Sequence, residues 1–178
     1  MRRILLALLL LLLASPAGAH LPPSDEDLAL TRSVSGAFES GDEVFALSLH
    51  LEVPMAVPVD VLVPPSDRYE EHRPALLLLG EGTKALAADD VARLPVDAEE
   101  GWLTWNQEAE RPLVFDASAR RVWWSSGPVA LPLAAGDYQL VVWSPEGTPG
   151  EFGVGVGVDG DPLREQHVRL GPPVELIR

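Results

Sequence analysis

The chain contains no cysteine and is poor in positive charge. Without cysteine there are no disulfides, no zinc–thiolate sites, no thiol nucleophile and no lipid-modified N-terminal cysteine. Only 13 lysine and arginine residues stand against 27 aspartate and glutamate residues, which gives a formal net charge of −14. Affinity for nucleic acid comes largely from cations that displace counterions from phosphates. The charge therefore argues against binding to nucleic acid or to anionic membrane surfaces.

The sequence also lacks the short motifs of common catalytic sites. It has no Gly-x-Ser-x-Gly, no His-Glu-x-x-His and no phosphate-binding loop. Acidic pairs such as Asp89-Asp90 and Glu99-Glu100 are typical of a solvated surface on a chain of this charge. We therefore predict a non-catalytic protein without a cofactor. An enzyme of unrecognised type stays as a third hypothesis, after the two binding hypotheses described below.

The first residues carry the pattern of an export signal. Arg2 and Arg3 precede an unbroken apolar run at 4–14, and Ala17-Gly18-Ala19 places small residues at a cleavage site. A helix formed by that run is about 16 Å long, roughly half the thickness of a bilayer core, so we expect no stable membrane anchor. We predict cleavage after Ala19 and export to the periplasm or the cell exterior.

Alternation of apolar and polar residues predicts strands over much of the remaining chain. The alternation is regular over 44–53, where His50 falls on the face that points away from the core. It continues over 57–63, where Pro54 and Pro58 favour an edge or bulge position over a central strand.

Three further segments carry local signals. The continuous apolar run at 75–79 predicts a strand buried on both faces. Residues 112–115 and 121–125 predict a hairpin, and a short helical turn is expected around 89–94.

The clearest pattern lies in the last third of the chain. Residues 138–142 and 152–158 each alternate and are joined by a loop rich in proline and glycine, which predicts a hairpin of paired strands. Burial sets the register, so the large apolar residues of both strands share the core face. The opposite face would carry one aromatic residue and three glycines: Trp143, Gly153, Gly155 and Gly157.

Together these patterns predict an all-β fold, an antiparallel, jelly-roll-like β-sandwich. A chain of this length is enough for one core. The predicted organisation is a signal peptide at 1–19, an acidic, proline-containing arm at 20–30 and the sandwich at 31–160. A short C-terminal helix or tail follows at 161–178, with the helix reaching about Leu170.

Several of these segments resemble a known family. The sequences AGDYQLVV at 135–142 and GEFGV at 150–154 resemble the closing hairpin of bacterial pre-peptidase C-terminal domains, and SGAF at 35–38 with DEVFAL at 42–47 is similar to their opening strands. The segment RPALLLLG at 73–80 is similar to related exported bacterial proteins. The resemblance implies a secreted, non-catalytic β-sandwich, and it transfers no catalytic residue.

Tryptophan supplies the main hypothesis for a ligand site. Trp143 stands on the predicted glycine face, where bare backbone would let a ring lie flat as a shelf for a sugar or a partner chain. Trp102 and Trp105 are further contributors. Trp123 and Trp124 face opposite sides of a strand, so one of them is expected at a surface. The alternative is that Trp143 only shields the glycines or lies under the C-terminal segment.

Histidine supplies a second hypothesis. Cleavage after Ala19 would make His20 the first residue, and its α-amine and imidazole together suit copper, which prefers nitrogen ligands. A further imidazole from His50 or His72 would complete the site. Against this, the histidines have no ligand-like spacing.

The favoured prediction is an exported, non-catalytic β-sandwich module that binds an extracytoplasmic protein or glycan through Trp143, Gly153, Gly155, Gly157 and Trp124. The alternative is a periplasmic copper-binding protein that uses His20. The sequence does not set the oligomeric state.

Overall fold

The computed structural model of the protein describes residues 30–105, 111–116, 119–157 and 166–176. Within these ranges the chain forms strands, one short α-helix and one 3-10 turn at Asp67–Tyr69. In chain order the strands are β1 (Leu30–Phe38), β2 (Val44–Leu51), β3 (Met55–Val63), β4 (Ala75–Gly80), β5 (Lys84–Ala85), β6 (Glu100–Thr104), β7 (Leu113–Asp116), β8 (Arg121–Ser125), β9 (Val129–Leu133), β10 (Gly136–Trp143), β11 (Gly150–Gly157), β12 (Val168–Leu170) and β13 (Val174–Glu175). The helix, α1, spans Ala88–Val91.

The strands form two antiparallel sheets. The first has the order β1-β11-β3-β8-β7, with β9 also paired to β3. The second has the order β12-β2-β10-β4-β6-β5, with β13 also paired to β2. The predicted all-β sandwich is confirmed. Within the described ranges no helix is long and apolar enough to cross a membrane.

The main core lies between the two sheets, where the predicted alternation places it. Leu47, Leu49 and Leu51 of β2 and the alternate valines of β3 are at most 1% exposed. Burial of each such side chain contributes about 1.5–3 kcal/mol relative to exposure. Val53, which the pattern also assigned to the core, lies beyond the end of β2 and is exposed.

The apolar run of β4 is buried on both faces, as predicted. Leu76 and Leu78 belong to the main core. Ala75 and Leu77 belong to a second cluster on the outer face of the second sheet, together with Val44, Val141 and Trp143. Partly buried residues between positions 86 and 105 pack against this outer cluster. The middle segment, which includes α1 close to the predicted helical turn, thus covers the second sheet.

The position predicted for Pro58 is wrong. Strand β3 is central, because it pairs with β11 on one side and with β8 and β9 on the other. Pro58 pairs with Ala130 of β9, while the ladder with β11 begins only at Val59. A proline, which has no N–H to donate, is accommodated where one of the two ladders is not formed.

The predicted hairpin of the last third is also wrong. Strand β10 pairs with β2 and β4 in the second sheet, whereas β11 pairs with β1 and β3 in the first. Six of the residues assigned to a common core face do share it but reach the main core from opposite sheets, namely Tyr138, Leu140, Val142, Phe152, Val154 and Val156. Val158 lies outside the described residues. Alternation reports which face of a strand is buried, and it does not report which strand lies beside it.

The predicted hairpin of β7 and β8 is confirmed, and it forms the end of the first sheet, where β8 pairs with β3. The Trp123 ring reaches 3.5 Å from the position that a Cβ on Gly153 would occupy. Ser33 of β1 donates a hydrogen bond to Asp116 at the end of β7. Gly153, Gly155 and Gly157 are buried.

The predicted C-terminal helix is wrong over Val168–Leu170, which forms β12 and pairs with β2. Val174–Glu175 forms β13 and pairs with the opposite end of β2. This part of the tail therefore belongs to the second sheet. Residues 161–165 lie outside the described ranges.

Candidate functional site

A cleft of about 450 Å³ opens at the end of the second sheet where β2 begins and β10 ends. Its walls are the loop before β2, the loop after β10 and the segment after α1. The lining residues are Gly41, Asp42, Glu43, Arg93, Leu94, Pro95, Trp105, Trp143, Ser144, Pro145 and Gly147. We name this the Trp105–Trp143 cleft.

Two indole rings form its aromatic wall. The centroids of Trp105 and Trp143 are 5.6 Å apart and the planes meet at 80°, an edge-to-face contact. Trp143 is only 4% exposed, whereas Trp105 is half-buried. The Trp105 Nε1 donates to Asp90 Oδ1 at 2.9 Å. Two contacts at different parts of the ring therefore hold Trp105 in one orientation.

The exposed guanidinium of Arg93 lies over the Trp105 ring, 4.1 Å from its centroid. This distance is typical of a cation–π contact, which is strongest on tryptophan. In the described part of the chain the Arg93 side chain forms no ion pair. One face of the Trp105 ring is therefore covered by the side chain of Arg93, which is itself exposed to solvent.

The acidic rim of the cleft is held by backbone groups. The Glu43 carboxylate accepts hydrogen bonds from the N–H groups of Glu39, Ser40 and Gly41 at 2.8–3.1 Å. Desolvation raises the pKa of Glu43, but the hydrogen bonds together outweigh it and lower the pKa to about 2. Glu43 therefore stays ionised in all but strongly acidic conditions.

Gly41 lies where the loop before β2 packs closely against the loop after β10. It has φ +85°, and a Cβ there would lie 2.1 Å from the carbonyl oxygen of Gly147. We expect Gly41→Ala to lower the free energy of unfolding by about 1–3 kcal/mol, because it adds strain at positive φ to a clash with backbone.

Gly82 supplies the matched control for this substitution. It has φ +80°, but apart from its chain neighbours no described residue has an atom within 4 Å of its added Cβ. Gly82→Ala should therefore show the cost of positive φ alone. Urea denaturation of both variants measures the difference, and equal losses would contradict the contact between the loops.

A smaller recess of about 190 Å³ adjoins the cleft and is lined by Arg73, Trp105, Pro145 and Glu146. Trp105 and Pro145 line both spaces, so an extended ligand would pass across the Trp105 ring. The side chain of Arg73 is held in place because its Nη1 donates hydrogen bonds to the carbonyl oxygens of Glu70 and His72.

The predicted shelf of Trp143 on glycines is not formed. Trp143 belongs to β10 in the second sheet, and Gly153, Gly155 and Gly157 belong to β11 in the first. Trp123, which is 1% exposed, is the ring that lies against Gly153. The error follows from the predicted pairing of β10 with β11.

Trp124 lies away from the cleft, on the hairpin of β7 and β8. It is half-buried, and the Arg111 guanidinium lies 4.2 Å from its ring centroid. Its cross-strand partner is Leu113, and Phe115 lies opposite Val122 on the same strand pair. Leu113 and Phe115 are 63% and 67% exposed, so this hairpin presents an apolar surface.

The histidines of the copper hypothesis are not gathered in the described residues. His50 Nδ1 lies 2.7 Å from Asp137 Oδ1 at the far end of β2. His72 is fully buried and packs against Phe38, whose ring also contacts Phe45 at the start of β2. Five residues of strand separate His50 from Phe45, which is about 16 Å. His20 lies outside the described ranges, so its role stays a prediction.

One buried carboxyl lies between β8 and β9. Asp60 is 2% exposed, and Ser125 Oγ, Ser126 Oγ and Ser126 N donate to it at 2.5–3.0 Å. Burial raises the pKa of Asp60, and these hydrogen bonds oppose the rise. The carboxyl joins β3 to the turn after β8. Across the described ranges, no three histidine, aspartate or glutamate side chains are grouped as metal ligands.

Sequence reasoning named Trp143 and Trp105 but missed that they meet, and it missed Arg93. One signal was available: Arg93 is the only basic residue between Ala85 and Trp105. The pairing of β4 with β6 brings Trp105, just past the end of β6, to the end of the second sheet. Nothing in the sequence marked Glu43 as a site residue, because its hydrogen bonds depend on the turn that precedes β2.

Comparison with known proteins adds no relative: no family model, curated protein or solved structure matches the chain.

Proposed function

We propose that this protein is an exported, non-catalytic binding module that holds a glycan in the Trp105–Trp143 cleft. The observation that carries the proposal is the Trp105 ring, which is part-exposed, fixed by Asp90 and Trp143, and set in the wall of an open cleft. A tryptophan face offers large apolar area at low cost in conformational entropy. The C–H faces of a sugar ring stack on such a surface.

The polar groups around the ring suit a ligand rich in hydroxyls. Asp42 and Glu43 supply carboxylate acceptors, and Ser144 lines the same cleft. A few convergent polar groups beside an aromatic wall are the usual composition of a site for a small ligand. A glycan is favoured over a partner protein here because the aromatic surface is recessed.

The ionised state of Glu43 fits a binding role better than a role as general acid. A general acid needs a pKa near the working pH. Glu43, whose pKa is about 2, is ionised near neutral pH and has no proton to donate. Export is supported by the pattern of residues 1–19, where basic, apolar and small residues follow one another.

We expect Trp105→Ala to weaken glycan binding at least tenfold, because loss of the ring removes the stacking surface. Calorimetric titration with cellohexaose and with the matching hexamers of glucosamine and N-acetylglucosamine measures the affinity. Trp124→Ala is the matched control, since it also removes a half-buried tryptophan under a stacked arginine but lies outside the cleft. Equal affinities for the two variants, or no binding of any hexamer by the unaltered protein, would contradict the proposal.

A further inference from the structure

We infer that the glycan taken by the Trp105–Trp143 cleft carries free amino groups, and that Arg93 occupies the place of one of them when the cleft is empty. The inference rests on the proposed function and specifies the ligand class of that site. It is carried by the Arg93 guanidinium, which already lies 4.1 Å from the Trp105 ring centroid.

A sugar that stacks on the face of Trp105 covered by Arg93 must first displace the Arg93 side chain. A neutral sugar then loses the cation–π contact that Arg93 made. An ammonium-bearing sugar restores that contact with its own charge. The ring face therefore favours a cationic ligand over a neutral one of the same shape.

The charges around the ring favour the same kind of ligand. Asp42 and Glu43 line the cleft, and Glu146 lines the adjoining recess. The guanidinium groups that line these spaces are Arg93, which the ligand displaces, and Arg73, which donates to backbone carbonyls. Once Arg93 has moved, the cleft itself presents carboxylates.

The charge of the whole chain acts in the same direction. A formal net charge of −14 raises the local concentration of a cationic polymer and repels an acidic one. The site and the long-range field therefore favour the same class of ligand. Polymers rich in carboxylate or sulfate are disfavoured by both.

The test uses three hexamers with the same linkage that differ only at carbon 2, namely amine, N-acetylamine and hydroxyl. The unaltered protein is titrated with each in a mildly acidic buffer in which the amines are protonated. We expect the amine hexamer to bind at least tenfold more tightly than the other two. The preference should shrink as salt is raised, because salt screens exposed charges.

Two variants test the role of Arg93. We expect Arg93→Ala to bind the amine hexamer several-fold more tightly than the unaltered protein, since the competing guanidinium is gone. Arg111→Ala is a control outside the cleft: it frees the face of Trp124 and removes two hydrogen bonds to the carbonyl oxygens of Glu70 and His72, and it should leave the affinity unchanged. Weaker binding of the amine hexamer by Arg93→Ala would overturn the inference.

The outcomes separate this inference from the proposed function. If the neutral or acetylated hexamer binds as well as the amine hexamer and Trp105→Ala abolishes that binding, the amine preference is wrong and the glycan function stands. If no hexamer binds in a way that depends on Trp105, both are wrong.

Discussion

Replacement of Trp123 with alanine is expected to lower the free energy of unfolding by about 3–5 kcal/mol. Trp123 is 1% exposed and lies on the outer face of the first sheet, against Gly153 and beneath the Arg121 guanidinium at 4.3 Å. Because Gly153 has no side chain, it cannot fill the space that the ring would leave. The cavity term therefore adds to the lost burial of the ring. Urea denaturation measures the loss.

Trp123→Phe provides the control for this prediction. The Trp123 Nε1 is buried without a hydrogen-bond partner among the described residues. Phenylalanine keeps most of the aromatic contact and removes that unpaired donor, so we expect a loss below about 1.5 kcal/mol. If alanine and phenylalanine lower the free energy of unfolding equally, the aromatic ring at this position does not pack against Gly153 in the way described.

Acidification is expected to destabilise the protein through His72. The imidazole is 0% exposed, and neither ring nitrogen has a hydrogen-bond partner in the part of the chain that the structure describes. Burial, and then the positive charge of Arg111, lowers the pKa of His72 from 6.5 to about 4. The unfolded chain therefore binds a proton at higher pH than the folded chain does.

The loss of stability falls in the pH range between the unfolded and folded pKa values. Stability is unaffected by His72 above about pH 6.5, falls as the pH drops towards 4, and levels off below that value. The full loss is about 3 kcal/mol, since lowering a pKa by one corresponds to about 1.4 kcal/mol. Chemical denaturation at a series of pH values measures it.

His72→Phe isolates the contribution of the imidazole. Phenylalanine keeps a ring against Phe38 and Tyr69, which lie 5.8 and 5.9 Å from the His72 centroid, and it cannot titrate. The carboxylates are the same in both proteins, so their contribution cancels in the comparison. The prediction fails if the two proteins lose stability in parallel between pH 6.5 and 4.

The elements that the sequence predicted best are those whose burial follows from their own run of residues, whether alternating or continuous. Alternation placed β2 and the valines of β3, and the continuous apolar run placed β4 between two cores. The residues at 168–170 were predicted to lie in a helix, and they form a strand because the side of β2 opposite β10 accepts them. The local preference of these residues for a helix was weaker than the stabilisation that they gain from hydrogen bonds to the open edge of β2.

In the candidate site, too, the sequence identified individual residues but not the contacts between them. Trp105 and Trp143 were both named from the sequence, but their contact depends on β10 pairing with β4 and on β4 pairing with β6. Arg93 reaches Trp105 only because the middle segment folds over the outer cluster. Neither arrangement is local, so neither leaves a periodic signal.

The alternating apolar pattern and the excess of acidic residues are properties of the chain itself. The first predicted the all-β sandwich, which is confirmed, and the second is the basis of the prediction against nucleic acid and anionic membrane surfaces. Tertiary structure alone decided which strands pair and which tryptophan lies against Gly153. The physical reason is that burial periodicity depends on each strand's own side chains, whereas pairing depends on backbone hydrogen bonds that nearly any sequence can form. Only the tertiary structure brings Asp42 and Glu43 into the lining of the same cleft as Trp105 and Arg93, because these residues lie on separate segments of the chain.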